Sequence, residues 1–440
     1  MFGTVPAFST SHLQAFAALK DSGHQLASGG RRFGLRGWLV AAQMAISAVL
    51  LVGAGLFVRT LMNLRHLDLG FDQQVLAVRL EPRGSNEKHL NGLRLMERYS
   101  ELLDRLERVP GVRSVSLAGA TPVSDDYSLV PSVIIPGRVP QADENMRIRL
   151  MQIYPGYFAT MGIPVLAGRD LGPADNASRT LFTARTASQL MLEPRVALIN
   201  DTMARRFFGT AQAAVGRQFE LRGSHMAFEI VGVVRDVRDR ALKEDVGPVA
   251  YATYAQTPTG RGQMTLLVQT WRDPRSMVAT ISRLARDVDP AMPLLDVQTL
   301  AQRVGAATRQ ERLVALLSTL FGGLALVLAA VGLYGITAYA VARRRAEFGV
   351  RLALGASPGG LRRLILFEGL TLVALGLVVG LVAAGATAQT LSHLLFGLQP
   401  IDPAAFGIAA ATLVSVATIA AYLPPREAAQ VDPIVALRSE

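Results

Sequence analysis

The chain has 440 residues, enough for one large domain or two domains of ordinary size. It contains no cysteine, which excludes disulfides, cysteine-ligated zinc and iron–sulfur clusters. The formal net charge of +11 would suit nucleic acid binding. However, the sequence has no zinc-finger, RNA-binding or zipper pattern, so nucleic acid is not expected as a partner.

Half of the residues are hydrophobic, and many of them are concentrated in four stretches that are almost free of charge. These stretches are residues 38–58, 313–341, 364–388 and 404–423. Each has the roughly 20 apolar residues that a bilayer core requires. One such stretch could be a buried helix of a soluble protein, but four of them predict four transmembrane helices. The first is longer than the apolar part of a typical signal peptide, so we interpret it as retained.

The predicted helices divide the chain into parts inside and outside the membrane. A cytoplasmic N-terminal segment (1–37) leads to helix 1 (38–58), and an extracytoplasmic domain (59–312) precedes helix 2 (313–341). A cytoplasmic loop (342–363), helix 3 (364–388), a short outer loop (389–403), helix 4 (404–423) and a cytoplasmic tail (424–440) follow.

The two ends of the chain share a short similarity. Without gaps, Pro6 aligns with Pro424, and Ala18-Leu19-Lys20 aligns with Ala436-Leu437-Arg438. The match is short enough to arise by chance. Otherwise it indicates an internal repeat, in which residues 1–37 resemble the tail of a preceding, equivalent half.

The arginine distribution predicts which side of the membrane each part occupies. The loop 342–363 carries six arginines, whereas residues 389–403 carry no lysine or arginine. Because basic residues are enriched in cytoplasmic loops, this loop and both termini are expected in the cytoplasm. Arg59, Arg65, Arg309 and Arg312 lie on the wrong side for this rule, but long loops translocate largely regardless of charge.

The region 59–312 has the pattern of an α+β domain. Residues 75–80 and 112–117 alternate like strands, and residues 89–108 between them have helical spacing, which predicts a strand–helix–strand unit. Further strands are predicted at 147–153, 196–199, 228–234 and 264–270, and further helices at 202–208 and 275–288. Weak periodicity over 171–192 predicts a flexible insertion.

The sequence contains no motif for nucleotide hydrolysis or metal-dependent hydrolysis. A P-loop needs a lysine directly after glycine so that it reaches the phosphates, and Lys20, Lys88 and Lys243 each follow another residue. No two of the six histidines lie three or four positions apart, and no Gly-x-Ser-x-Gly elbow occurs. We therefore expect no catalytic residue, no cofactor and no metal.

Ionisable residues offer no route for ion-coupled transport. Asp287, Asp289 and Asp296 are better explained as turn and cap residues than as a metal cluster. Within the apolar stretches Glu368 is the one candidate for an ion pathway, but it follows Arg363 by about one helical turn. An interfacial position explains Glu368 better, so the energy for transport is expected from another protein.

The loop between helices 2 and 3 holds the most distinctive run of the sequence. By charge alone it is a positive-inside anchor, but an anchor does not need this ordered mixture of Arg, Glu, Gly and Ala. A short helix bounded by glycine and by Ser357-Pro358 could dock against a soluble partner and transmit force. The candidate docking residues are Arg343, Arg344, Arg345, Glu347, Gly349, Arg351, Ala353, Gly355 and Ala356.

Helix 3 carries three small residues at four-residue spacing, Gly376, Gly380 and Ala384. Small residues at this spacing share one helix face and let another helix approach closely. Ordinary packing within the chain would explain them. Four helices leave little shelter for such a face, however, so we expect an equivalent half, fused upstream or supplied as a second chain, to cover it.

Several runs of this chain resemble the FtsX-like permeases, the MacB-type class of ABC transporter. In the last third these are Glu311-Arg312-Leu313, Gly332-Leu333-Tyr334-Gly335, residues 347–356 with the pattern Glu-x-Gly-x-Arg-x-Ala-x-Gly-Ala, Leu395-Phe396-Gly397 and residues 432–438. In the outer region they are Pro155-Gly156-Tyr157-Phe158, Gly162-Ile163-Pro164, Ala167-Gly168-Arg169-Asp170, residues 230–236 and Asp289-Pro290. The resemblance covers nearly the whole chain, and the run at 347–356 is its most specific part.

The resemblance implies a multi-pass permease of the bacterial inner membrane, with a MacB-type periplasmic core domain between helices 1 and 2. It implies that a separate ABC ATPase subunit supplies the energy and moves the domain mechanically, for export or mechanotransmission. Other expected partners are an equivalent permease half, membrane lipid, and periplasmic or outer-membrane proteins. The alternative is a membrane-anchored periplasmic sensor or scaffold without transport, and a membrane-anchored enzyme is the weakest class because no site for it is present.

Overall fold

The computed structural model describes residues 35–81, 90–123, 130–176, 195–223, 226–238, 244–256, 263–290, 292–343, 358–390 and 401–428. The helices in chain order are α1 (Leu35–Arg65), α2 (Leu90–Glu107), α3 (Tyr157–Met161), α4 (Pro173–Asn176), α5 (Asp201–Phe208), α6 (Ala211–Ala214), α7 (Val278–Val288), α8 (Leu300–Ala307), α9 (Arg309–Arg343), α10 (Pro358–Thr390) and α11 (Pro403–Ala428). The strands are β1 (Leu76–Leu80), β2 (Val112–Ala118), β3 (Val133–Ile134), β4 (Arg149–Ile153), β5 (Val165–Gly168), β6 (Arg195–Asn200), β7 (Gln218–Leu221), β8 (Met226–Val234), β9 (Val249–Thr253), β10 (Met264–Thr270) and β11 (Leu294–Thr299).

The chain separates into two compact units. One consists of Met1–Met62 and Glu311–Glu440 and holds the long apolar helices, and the other is Asn63–Gln310. In the described residues four helices, α1, α9, α10 and α11, are long and apolar enough to cross a membrane. The predicted fold class, four transmembrane helices with an α+β domain between the first and the others, is therefore confirmed.

The apolar helices extend beyond the hydrophobic stretches from which they were predicted. The helix α1 continues to Arg65, and α9 begins at Arg309. Polar residues can continue a helix once it has left the hydrocarbon, because their side chains are then solvated. Both α10 and α11 begin with proline, Pro358 and Pro403, which is favoured in the first turn because its missing N–H would have no helical acceptor there.

The second unit is built on one mixed sheet. Its strands have the order β11-β1-β10-β2-β4-β9-β6-β8-β7-β3, and β5 pairs with β8. The predicted strand–helix–strand unit is present as β1, α2 and β2. These two strands are not neighbours, however, because β10 lies between them and is antiparallel to both.

Three apolar clusters hold this unit together. In the first cluster α2 and α7 pack with β1, β2 and β10, and Tyr99, Leu102 and Leu106 of α2 are completely buried. The second cluster gathers α5 with β6, β7 and β8, and the third joins α3 to residues of both halves of the sheet. The helical spacing of α2 follows from this arrangement, because it places the buried residues on one face.

Some helices and strands were not predicted from the sequence. The strand β9 has no alternation because all five of its residues are buried. The strand β11 has no apolar–polar alternation that marks one buried face. Helix α8 is only eight residues long, although Thr299 and Gln302 form a capping box that marks its start. Of the predicted insertion at 171–192, the short helix α4 is seen, and residues 177–194 lie outside the described residues.

Candidate functional site

Helix α1 occupies the centre of the apolar unit. In its most apolar stretch 44% of the residues are buried within the chain, against 17% for α9. Glycines bring the other helices close to it. A Cβ atom on Gly322 of α9 would lie 3.5 Å from the backbone oxygen of Leu50, and one on Gly55 of α1 would lie 3.5 Å from the Cβ of Ala405 in α11. Movement of α1 therefore requires its three neighbours to move or to slide.

The closest approach is between α1 and α10, along the predicted small-residue face. A Cβ atom on Gly376 would lie 2.5 Å from the backbone oxygen of Ala41, and one on Gly380 would lie 2.7 Å from the backbone oxygen of Ala45 and 2.6 Å from the Cβ of Ala48. Real Cβ atoms do not come this close to backbone atoms, so only glycine fits at these two positions. Ala384 continues the face and is also buried.

The expectation that an equivalent half covers this face is therefore wrong. The face of Gly376, Gly380 and Ala384 is covered by α1 of the same chain. The sequence argument treated four helices as too few to shelter it, but α1 is apolar on all sides and can pack against several helices at once. That an equivalent half is a partner of this chain remains a prediction, but the small-residue face no longer supports it.

One ion pair joins the two helices α1 and α11. The guanidinium of Arg59 donates from Nη1 to both carboxylate oxygens of Asp402. The Asp402 side chain is only 7% exposed, and its Oδ1 also accepts from the backbone N–H of Ala404 at 2.9 Å, which caps α11.

This pair explains a residue that contradicted the positive-inside rule. Arg59 stands on the predicted outer side, and the structure gives it a carboxylate partner there. The sequence analysis overlooked Asp402. Asp402 stands directly before Pro403 at the start of an apolar run, which is the sequence signal of a helix cap. This signal could have identified Asp402 as the first residue of interest in that run.

The predicted docking loop lies almost entirely outside the described residues. Arg343 is the last residue of α9. Arg344, Arg345, Glu347, Gly349, Arg351, Ala353, Gly355 and Ala356 are not described, and neither is the side chain of Glu368. The role of this loop in binding an ATPase remains a prediction.

The two connections between the apolar helices and the α+β domain enter neighbouring strands. The chain leaves α1 and enters β1, and it returns from β11 through α8 to α9. Strands β1 and β11 are antiparallel neighbours, with Leu76 opposite Thr299. The N–H of Leu300 donates to the carbonyl of Val75 at 2.9 Å, so the two connections are hydrogen-bonded where they meet the sheet.

Charged side chains in both connections form ion pairs with residues of the domain. On α8, the buried Arg303 donates to Asp296 at 2.9 Å and to the hydroxyl of Thr121. After α1, Asp68 pairs with Arg235. The backbone N–H of Gly70, followed by the Arg235 guanidinium, holds the pKa of Asp68 below its ordinary value. Asp68 is therefore charged at neutral pH.

Two of the carboxylates considered in the sequence, Asp289 and Asp296, have structural partners. Asp289 pairs with Arg98 of α2, and Asp296 pairs with Arg303. Asp236, which belongs to one of the family-like runs, accepts from the N–H of Thr202 at 2.9 Å and so caps α5. Among the described residues, no group of three or more His, Asp or Glu side chains is arranged to hold a metal ion.

Two family models match the chain. The model of the MacB-like periplasmic core domain matches residues 39–291, and the model of the FtsX-like permease C-terminal region matches residues 319–433. The first extends from α1 to the end of α7. The second covers most of α9 together with α10, α11 and the predicted docking loop.

The similar proteins are described as permeases, some of them with an ATP-binding part. The chain is 26% identical over 330 residues to the macrolide export ATP-binding/permease protein MacB of Bradyrhizobium diazoefficiens, covering 71% of this chain and 46% of MacB. It is 25% identical over 269 residues to the uncharacterized ABC transporter permease YknZ of Bacillus subtilis, covering 58% of this chain and 64% of YknZ. The chain thus spans about half the length of the MacB relative and less than two thirds of YknZ.

A solved structure with a similar domain is the periplasmic region of MacB from Actinobacillus actinomycetemcomitans. It has a TM-score of 0.35 and 13% sequence identity, and the match covers 57% of this chain and 98% of that structure. The model of the periplasmic core domain by itself matches residues 39–291, which is more than half of the 440 residues. By these matches, this chain belongs to the FtsX-like permeases of ABC transporters that carry a MacB-like periplasmic core domain.

Proposed function

We propose that this chain is the transmembrane subunit of an ABC transporter whose separate ATPase moves the extracytoplasmic domain mechanically. The observation that carries the proposal is that β1 and β11, the strands joined to α1 and α9, are hydrogen-bonded neighbours. A displacement of α1 would reach this strand pair through residues 66–75, and a displacement of α9 would reach it through α8. Because the pair belongs to one continuous sheet, the domain would respond as a body instead of stretching locally.

Export is the direction favoured by the relatives. MacB is named for macrolide export, and the same description includes an ATP-binding part. The sequence of this chain has no P-loop, so the proposal assigns ATP hydrolysis to a partner protein that binds the loop 342–363.

The proposed orientation places both termini and the loop 342–363 in the cytoplasm, and it can be tested by cysteine labelling. The chain has no cysteine of its own, so each introduced one reports alone. In intact cells, a membrane-impermeant maleimide should label Val139→Cys, since Val139 is 89% exposed in the domain. It should leave Ser357→Cys unlabelled until the cells are opened. Labelling of Ser357→Cys in intact cells would refute the orientation.

Mechanical transmission can be tested by loosening one connection. We expect that inserting Gly-Ser-Gly-Ser between Thr308 and Arg309 abolishes the ATP-dependent movement of the domain, because the flexible insertion separates α8 from α9. The same insertion after Gly137 is the matched control, since a Cβ at this exposed glycine would meet nothing within 4 Å. The readout is the change on ATP addition in energy transfer between dyes at positions 139 and 390, in chain reconstituted with its ATPase.

The result separates the transporter from the sensor or scaffold. A change in transfer efficiency that survives in the control and disappears in the Thr308 insertion supports mechanical transmission. An equal change in both insertions would show that α8 and α9 do not carry the movement. A chain that never responds to ATP, although the ATPase is bound, would favour the scaffold.

A further inference from the structure

The sheet of the α+β domain has its weakest pairing between β2 and β4. In the described part of the sheet these strands share one residue pair, Ala118 with Ile153, whereas β10 and β2 share six and β4 and β9 share five. Two backbone hydrogen bonds of 2.7 and 2.8 Å, donated by Gly119 and Tyr154, accompany the pair. This β2–β4 junction divides the sheet into a first half (β11, β1, β10 and β2) and a second half (β4 to β9 in sequence order).

Apolar packing also crosses the junction. Helix α3 lies against β2 and β10 of the first half, and its Tyr157 and Phe158 rings contact Tyr251 of β9, with centroids 6.2 and 5.1 Å apart. Because hydrophobic burial is non-directional, this packing holds the halves together but does not replace the ladder hydrogen bonds that other strand pairs have. The angle between the halves therefore depends on whatever polar contacts span the junction.

The connection from α1 to β1 contacts both halves before it enters the sheet. On the side of the second half, the N–H of Arg238 donates to the carbonyl of Leu69 at 3.1 Å, and the ion pair of Asp68 described above joins the same segment after β8. On the side of the first half, Asp72 accepts from Nε2 of the buried Gln269 of β10 at 2.9 Å. Five consecutive residues, 68–72, thus bond to strands or strand ends on both sides of the junction.

Gly70 makes the closest contact of this segment. Its φ is +80°, and a Cβ atom there would lie 2.4 Å from the backbone oxygen of Asp236 and 3.3 Å from the Cα of the buried Val237. Glycine is therefore required here by space as well as by backbone conformation. Two residues later, the N–H of Asp72 donates to the carbonyl of Met161 in α3 at 2.8 Å. The segment is held by backbone atoms, which cannot turn aside as flexible side chains do.

We infer that residues 68–72 clamp the two halves of the domain together across the β2–β4 junction. The segment bonds to β10 in the first half, to α3 beside the junction and to residues 235–238 in the second half. Separation of the halves would break these bonds together with the two of the junction. The same segment leads from α1 into β1, so a displacement of α1 would reach both halves at once. This consequence rests on the proposed function, whereas the clamp itself does not.

Hydrogen exchange of the full chain in detergent, followed by mass spectrometry, tests the clamp without ATP or the ATPase. Gly70→Val should speed exchange about tenfold in the peptides that contain the amides of Gly119 and Tyr154. The valine would push the segment away from residues 236–237, so the junction would open more often. Exchange in β10 should be unchanged, because its ladders to β1 and β2 lie within the first half.

Gly137→Val is the matched control for the backbone strain. Gly137 has a φ of +79°, almost the value of Gly70, but a Cβ atom there would meet nothing within 4 Å. The valine therefore strains the backbone to a similar degree without a collision, and exchange at the junction should stay at the level of the unaltered chain. Exchange at the junction that is no faster in Gly70→Val than in Gly137→Val would overturn the inference.

A second variant removes side-chain bonds of the clamp without adding bulk, and it decides the question if Gly70→Val fails to fold. Asp68→Ala combined with Asp72→Ala removes the bonds to Arg235 and Gln269. It should speed exchange at the junction about threefold, since an exposed ion pair and one buried hydrogen bond are lost. Equal acceleration in β10 and at the junction would contradict the clamp, because residues 68–72 would then stabilise the whole domain and not the junction.

A disulfide across the junction provides the converse test. Ala118 and Ile153 face each other between the two hydrogen bonds of the junction, and Cα atoms of such pairs are about 4.5 Å apart, which suits a disulfide. The chain has no other cysteine, so Ala118→Cys with Ile153→Cys forms one defined bond. Oxidation should abolish the faster exchange caused by Gly70→Val, and reduction should restore it. Faster exchange that persists after oxidation would show that it does not come from separation of the halves, and the inference would be wrong.

Discussion

Replacing Gly380 with valine is expected to prevent stable packing of α10 against α1. The added Cβ would lie 2.6 Å from the Cβ of Ala48 and 2.7 Å from the carbonyl oxygen of Ala45, and two of the three nearest atoms belong to the backbone. The backbone cannot turn aside as a flexible side chain can, so the helices must separate along their whole contact. Overpacking typically destabilises by about 1–3 kcal/mol, and the two backbone contacts place this substitution at the upper end of that range.

The measurement is unfolding of the full chain in detergent, followed by circular dichroism. Gly385→Val is the matched control, because it makes the same change on the same helix where a Cβ meets nothing within 4 Å. The α+β domain has its own apolar clusters, without residues of α10, so its resistance to protease should be unchanged in both variants. Equal stability of the two valine variants would show that α1 and α10 do not pack as closely as the structure places them.

Replacing Glu347 with lysine is expected to uncouple the chain from its ATPase. Glu347 is the acidic residue among the arginines of the loop 342–363, so if this loop docks on the ATPase, as proposed, we expect Glu347 to pair with a basic group of the partner. Reversing the charge replaces attraction by repulsion at the contact, and truncating one member of a close pair across an interface already costs about 2–5 kcal/mol. Stimulation of ATP hydrolysis by this chain should fall by about tenfold or more.

The measurement compares ATP hydrolysis with and without the permease in nanodiscs, together with co-purification of the two proteins. Glu107→Lys is the matched charge reversal, at an exposed position at the end of α2 in the domain. It should leave stimulation intact. If Glu347→Lys still co-purifies with the ATPase and stimulates it normally, the loop is only a positive-inside anchor.

The four apolar helices and much of the α+β domain could be predicted from the sequence, because local patterns encode them. Strand β10 was predicted with its observed bounds, since its apolar run ends at turn residues. The strand β9 and helix α8 could not be predicted with equal ease. A fully buried five-residue strand has no alternation, and an eight-residue helix offers only about two turns of periodicity.

The sequence by itself determined that this chain is a four-helix membrane permease with an α+β domain, since hydrophobic length and the family-like runs are local features of the chain. Which helix covers the face of Gly376 and Gly380, and which carboxylate pairs with Arg59, were decided only by the tertiary structure. In both cases the partners lie more than 300 positions apart, as with Arg59 and Asp402, whose separation in the chain is 343 residues. The sequence shows that one face of a helix carries small residues, or that an arginine is present, but it does not show the partner. The partner depends on which helices pack together, and that is settled by the fit of whole helix surfaces.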